Sequence, residues 1–124
     1  MAHPIVHFEI PAEDMERLKQ FYSQLLGWKF EAPPGMPTYM MITTAEKGEG
    51  MGIDGGLMKK MMPQQTVINY ALVESVAEYS EKVKQLGGKV VVPKSAVPKM
   101  GYFAVCLDPE GNQIGLWEMD EKAA

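Results

Sequence analysis

Two stretches of the chain alternate between apolar and polar residues, and a helical pattern follows each of them. The alternating stretches are IVHFEI at residues 5–10 and VINYAL at residues 67–72. A period of two predicts a β-strand. The following residues show the spacing i, i+3, i+7 and i+10, which places apolar side chains on one face of a helix. They are Met15, Leu18, Tyr22 and Leu25 in the first case, and Val76, Tyr79, Val83 and Leu86 in the second.

The two strand and helix pairs indicate an internal repeat. Each helix residue of the second set lies 61 positions after its counterpart, and the strands match with Asn69 lying 62 positions after His7. Gly27 and the pair Gly87 and Gly88 are placed to end the helices, because glycine adopts the left-handed conformation found after a last turn. Strand-like runs then follow in both halves: WKFEA, TYMMITT and the segment around GIDGGLM, and later KVVVP, GYFAVCL and QIGLWEM.

These elements predict an α+β fold made of two tandem β-α-β-β-β modules. The modules cover residues 1–62 and 66–121, approximately, and a linker around Pro63 joins them. A half of this size would have a marginal core alone, so we expect a single domain over residues 1–124. Two local motifs agree with this interpretation. Ser75 and Glu78 have capping-box spacing at the start of the second helix, and DPEGN at residues 108–112 predicts a tight turn.

Charge and composition narrow the functional classes. Twelve basic and sixteen acidic residues give a net charge of −4, with no basic stripe, so neither nucleic acid nor an anionic membrane is an expected partner. No apolar run reaches the roughly 18 residues that span a bilayer, and no secretion signal is visible, so we expect a cytoplasmic protein. The single cysteine, Cys106, alternates within an apolar strand and is expected to be a buried thiol.

Several motifs connect the repeat with a known family. HFEI followed by FYSQLLGW in the first half, and LGGKVVVP followed by FAVCLDPEGNQIGLWE in the second, resemble the vicinal oxygen chelate superfamily. That superfamily includes glyoxalase I, the bleomycin resistance proteins and the extradiol dioxygenases. The resemblance covers nearly the whole chain and is strongest to small glyoxalase-related members of unassigned activity. It implies curved mixed sheets that enclose a cavity, and a homodimer.

The resemblance also implies candidate metal ligands. Metal-dependent members place one ligand on the first strand and one on the last strand of each half. When GGLMK at residues 55–59 is aligned with IGLWE at residues 114–118, these positions hold His7, Lys59, Asn69 and Glu118. The Lys59 ammonium repels a cation, which leaves His7 and Glu118, with the Asn69 amide oxygen, as ligands for Ni, Zn, Co, Mn or Fe. This shell is incomplete by family standards.

Three functions are therefore open. The first is a metal-dependent lyase or isomerase related to lactoylglutathione lyase, in which the metal chelates adjacent substrate oxygens and Glu9 or Glu118 moves a proton. The second is a metal-free cavity that sequesters a small molecule. The third is a non-catalytic scaffold in which His7 and Glu118 pair with each other or with water. Candidate ligand-binding side chains are Tyr39, Met41, Tyr70, Tyr102 and Trp117.

Overall fold

The computed structural model describes residues 2–46 and 50–124. The first module contains β1 (Ile5–Ala12), α1 (Met15–Leu26), β2 (Lys29–Glu31), β3 (Tyr39–Thr43) and β4 (Gly55–Lys59). The second module contains β5 (Ile68–Leu72), α2 (Val76–Gln85), β6 (Lys89–Val97), β7 (Gly101–Leu107) and β8 (Gln113–Met119). The predicted order β-α-β-β-β is confirmed in both modules, and the fold is α+β.

The chain divides into two compact units with the same strand pairing. The first unit is His7–Val67, and the second joins the segment up to Val6 with Ile68–Ala124. Strands of the first module hydrogen-bond in the order β2-β3-β4-β1, and those of the second in the order β5-β8-β7-β6. In each, the first and last strands pair in parallel and the remaining pairs are antiparallel. The predicted repeat is therefore a repeat of topology as well as of sequence pattern.

The N-terminal segment is attached to the second unit by specific contacts. The Pro4 carbonyl accepts a hydrogen bond from the Leu72 N–H at 2.9 Å. The His3 Nε2 lies 3.2 Å from the Tyr79 hydroxyl and 3.4 Å from a Glu74 carboxylate oxygen. Residues at the start of the chain thus belong structurally with residues that follow position 67.

The sheet register corrects the alignment of the two halves. Glu9 pairs with Gly56 in the first unit, and Tyr70 pairs with Gly115 in the second. Because Gly56 and Gly115 occupy the same place in the last strand of their modules, Glu9 corresponds to Tyr70 and His7 corresponds to Ile68. The predicted match of His7 with Asn69 is wrong by one residue. A shift of one residue exchanges the two faces of a strand, so the correction changes which side chains are equivalent.

The helix of the first unit packs on one face of its strands. Phe8, Ile10 and Ala12 of β1 belong to an apolar cluster with helix residues Met15, Leu18 and Tyr22, and with Ile42 and Leu57. Successive side chains of a strand point to opposite faces. His7 and Glu9 therefore face away from α1, as the alternation predicts.

The second unit has an apolar cluster on each face of its sheet. Beside α2 lie Val73, Val76, Ala104, Cys106 and Leu116. The other cluster contains Ile68, Tyr70, Val92, Phe103, Val105 and Trp117. Cys106 is fully buried, which confirms the expectation for this residue, and burial raises the pKa of its thiol.

Capping interactions explain where both helices begin and end. Asp14 accepts a hydrogen bond from the Arg17 N–H at 3.0 Å, and Ser75 accepts one from the Glu78 N–H at 3.1 Å. Gly27 follows α1 with φ of 72°, so the predicted left-handed glycine is confirmed. Within the described residues, neither helix is long and apolar enough to cross a membrane.

Strand β6 is longer than its sequence indicates. A strand that stops at Pro93 is predicted, because proline cannot donate a ladder hydrogen bond. The strand continues to Val97, and its pairing with β7 shifts register twice between Val90 and Ser95. These irregularities accommodate the proline at the edge of the sheet.

The turn that connects β7 and β8 yields a prediction about acid stability. The Asp108 carboxylate accepts hydrogen bonds of 2.9 Å from the Asn112 side chain and from the N–H groups of Glu110 and Asn112. These bonds, the Asn112 side-chain bond foremost, lower the pKa of Asp108. Since the folded-state pKa is the lower one, the stabilisation is present above the unfolded pKa and is lost as the pH falls through the folded value.

We expect Asn112→Ala to raise the pKa of Asp108 toward its ordinary value, because it removes the hydrogen bond that lowers this pKa most. An NMR titration of the Asp108 carboxyl carbon measures this change. Glu110→Ala is the matched control, since Glu110 contributes only its backbone N–H to the turn. Equal Asp108 titration curves in the two variants would contradict the assignment.

Candidate functional site

Three polar side chains of the first unit form a connected cluster. The Tyr39 hydroxyl donates to Glu9 Oε2 at 3.3 Å and lies 3.1 Å from His7 Nε2. His7 Nε2 and Glu9 Oε2 are 3.7 Å apart. The side chains of His7 and Glu9 are 28% and 18% exposed, so the cluster is largely buried. We call it the His7–Tyr39–Glu9 cluster.

Strand pairing brings these residues together. β4 lies between β1, which carries His7 and Glu9, and β3, which carries Tyr39. Gly56 of β4 pairs with Glu9, and a Cβ atom built on Gly56 would overlap the Tyr39 hydroxyl and its ring carbon Cζ. The absence of a side chain at position 56 therefore lets Tyr39 reach across β4 to the two residues of β1.

The environment fixes the protonation of Tyr39. Burial raises the pKa of Tyr39 far above its ordinary value, and the Glu9 charge and hydrogen bond raise it further. The phenol is neutral and acts as a donor to Glu9. Since its one proton is directed at Glu9, its oxygen accepts from His7, and this hydrogen-bond pattern favours the His7 tautomer with a proton on Nε2.

The corresponding face of the second unit is apolar. Ile68 stands where the first unit has His7, Tyr70 stands where it has Glu9, and Phe103 stands where it has Tyr39. The Tyr70 and Phe103 rings meet edge to face, with centroids 6.5 Å apart. A tyrosine again covers a glycine, because a Cβ on Gly115 would overlap the Tyr70 ring. Two of the three repeated positions in the second unit thus hold the apolar residues Ile68 and Phe103, and the third holds the Tyr70 phenol.

Glu118, predicted as a metal ligand and proton carrier, makes a structural contact. Its Oε1 accepts a hydrogen bond from the Val76 N–H at 2.9 Å, at the first residue of α2. The first N–H groups of a helix lack partners within the helix, and a carboxylate beside them also interacts favourably with the helix dipole. This carboxylate is therefore part of the N-terminal cap of α2.

The remaining predicted residues fall into separate groups. Asn69 is exposed and faces the opposite side of β5 from Ile68 and Tyr70. Tyr70 and Trp117 belong to the apolar cluster of the second unit that lies away from α2. Tyr102 packs on the α2 side, with Lys94 Nζ 4.2 Å from its ring centroid. Met41 is 41% exposed and lies on the same face of β3 as Tyr39.

The metal shell predicted from His7, Asn69 and Glu118 stays a prediction. Across residues 2–46 and 50–124, no three His, Cys, Asp or Glu side chains come together in a way that could hold a metal ion. A catalytic zinc ion usually has three protein ligands. His7 and Glu9 are the two ligand-type side chains that the described structure places together in the first unit.

Comparison with known proteins agrees with the fold. Residues 4–45 match a family described as Bleomycin resistance protein-like N-terminal. A glyoxylase-like domain-containing protein of Didymella fabae is 35% identical over 109 residues, which cover 84% of each chain. The protein CFP32 of Mycobacterium bovis, which carries a glyoxylase name, is 28% identical over 117 residues. Those residues are 89% of this chain but only 43% of the mycobacterial protein.

A solved structure extends the comparison to the fold. The Mn(II)-bound glyoxalase from Novosphingobium aromaticivorans has a TM-score of 0.64 and 16% sequence identity. The similarity covers 97% of this chain and 40% of that one. At this identity the two proteins share a fold.

The cap formed by Glu118 predicts a loss of stability on its removal. We expect Glu118→Ala to lower the free energy of unfolding by about 1–2 kcal/mol, because the Val76 N–H loses a charged acceptor. Glu118→Gln keeps an oxygen acceptor at this position, so its free energy of unfolding should fall less. Urea denaturation measures both. Glu121→Ala removes the same charge from an exposed position, and a Glu118→Ala variant as stable as this control would contradict the capping role.

The raised pKa of Tyr39 predicts a late step in alkaline titration. A tyrosine ordinarily ionises near pH 10, and the stabilisation linked to a raised pKa is present below that value and lost as the pH rises through the folded value. Absorbance at about 295 nm, where phenolate absorbs, should include a Tyr39 component that appears only as the protein unfolds. Tyr39→Phe should remove this component and Tyr102→Phe should leave it. If the component is lost in Tyr102→Phe and kept in Tyr39→Phe, the late ionisation does not belong to Tyr39.

Proposed function

Because the chain belongs to the vicinal oxygen chelate superfamily, we propose that it is a small-molecule-binding protein whose site works without a resident metal ion. The His7–Tyr39–Glu9 cluster supplies the polar contacts. The observation that carries this proposal is the Tyr39 hydroxyl, which joins His7 and Glu9 at 3.1 and 3.3 Å and already satisfies the two groups that would otherwise hold a metal. All three residues lie within the segment that matches the bleomycin resistance family.

The chemistry of the cluster indicates the class of ligand. Glu9 is an acceptor, so it suits a hydroxyl or amine group of the ligand, and His7 can donate or accept according to its tautomer. The exposed Met41 thioether on the same strand face offers an adaptable apolar contact. These groups suit a small, partly aromatic or amphipathic compound that carries a hydrogen-bond donor.

The second candidate is a metal-dependent enzyme related to lactoylglutathione lyase. It is favoured by the 3.7 Å separation of His7 Nε2 and Glu9 Oε2, two groups that suit Ni, Zn, Co, Mn or Fe. A bound ion of this kind would polarise adjacent oxygens of a substrate. This candidate requires at least one further ligand besides His7 and Glu9.

We also propose that the protein is a cytoplasmic homodimer. The resemblance supports the dimer, since many members of the superfamily complete their cavities across two chains, and the acidic composition favours a dissolved protein over one that binds anionic membranes. Sedimentation of the purified protein at several concentrations tests the assembly.

Binding measured with and without a chelator tests the proposed function. The probes are bleomycin and a panel of small phenols and aromatic amines, followed by calorimetry with EDTA-treated protein. We expect at least one probe to bind equally well with EDTA present. His7→Ala and Glu9→Gln should weaken this binding about tenfold, the effect of losing roughly 1.4 kcal/mol of hydrogen bonding. His3→Ala, which changes the other histidine, should bind normally.

Two other outcomes have definite meanings. Stoichiometric binding of Ni or Mn that is lost in His7→Ala, together with turnover of a glutathione hemithioacetal, would replace the proposal with the metal-dependent enzyme. Failure to bind any probe or metal would favour the scaffold function.

A further inference from the structure

The separation of His7 and Glu9 is compatible with a shared cation. A metal ion lies about 2.0–2.2 Å from an imidazole nitrogen or a carboxylate oxygen, so two such atoms on one ion are separated by about 3–4 Å. His7 Nε2 and Glu9 Oε2, at 3.7 Å, are within this range. Distance alone does not prevent these two residues from binding one ion.

The Tyr39 hydroxyl changes what the two groups can do. It donates its one proton to Glu9, so its oxygen can accept only from a protonated His7 nitrogen, and a nitrogen that carries a proton has no lone pair for a metal. The hydroxyl also occupies space against both atoms.

Gly56 makes this arrangement possible at the expense of a third ligand. Any side chain at position 56 would overlap the Tyr39 hydroxyl, so Tyr39 can reach Glu9 only when the residue beneath it is glycine. Gly56 pairs directly with Glu9, on the strand next to it. A carboxylate or imidazole at position 56 would start beside His7 and Glu9, and the glycine removes that donor.

We propose that Tyr39 is the residue that excludes divalent cations from this site and so restricts it to ligands that form hydrogen bonds. It acts on both requirements of a metal shell. Its hydroxyl engages the two ligand side chains, His7 and Glu9, and it fits only above Gly56, which supplies no third ligand. This inference rests on the proposed metal-free function.

Calorimetry with NiCl2 and ZnCl2 on EDTA-treated protein tests the inference. Wild-type protein should give no saturable binding at His7. Tyr39→Ala should bind one ion per chain at least tenfold more tightly than wild type. Tyr39→Ala combined with Gly56→Asp should gain at least a further tenfold from the third ligand. Adding His7→Ala should abolish both gains, whereas Tyr102→Ala, a tyrosine on the α2 side of the second unit, should behave as wild type.

A stability measurement keeps the test independent of metal. Gly56→Asp alone should be destabilised because its side chain meets Tyr39, and Tyr39→Ala should relieve this loss, so the two changes should be non-additive in urea denaturation.

The possible failures are distinguishable. Tyr39 variants that are folded by circular dichroism yet bind metal no better than wild type would overturn the role of Tyr39 and leave the metal-free function intact. A wild-type protein that itself binds an ion through His7 would overturn both.

Discussion

The contact of the Tyr39 hydroxyl with Glu9 above the bare backbone of Gly56 determines the chemistry of the first unit. It depends on three adjacent strands being in the correct register, because β3 supplies the tyrosine, β4 supplies the glycine and β1 supplies the carboxylate. Each of the three residues constrains the others. The phenol needs the space above Gly56, and its high pKa follows from the burial and the nearby carboxylate that this space imposes.

The two units share a topology and differ in what they bury on the face away from the helix. In the first unit this face holds an imidazole, a carboxylate and a phenol, while in the second it holds aliphatic and aromatic side chains. Apolar packing stabilises this face of the second unit, and the first unit keeps polar groups that form hydrogen bonds with one another. Ile68 occupies the position that His7 holds in the first unit, and its side chain offers no donor or acceptor.

Local patterns predicted most of the elements, because helix periodicity, strand alternation and caps such as Gly27 and Ser75 depend on neighbouring residues. The site was harder to predict. The first strands were matched at an offset of 62 although the helices repeat at 61, and this single residue moved Asn69 to the place that belongs to Ile68. The helix offset was the signal that could have corrected it. The bond of Glu118 to Val76 joins residues 42 positions apart, and no sequence spacing indicates it.

Because the N-terminal segment is attached to the second unit, the two sequence modules do not coincide with the two compact units. The Pro4 carbonyl bonds to the Leu72 N–H, and His3 contacts the Tyr79 hydroxyl. The second compact unit therefore contains residues before position 7 as well as residues after position 67. A cut in the linker at Pro63 would separate the two sequence repeats but would deprive the later fragment of part of its own unit.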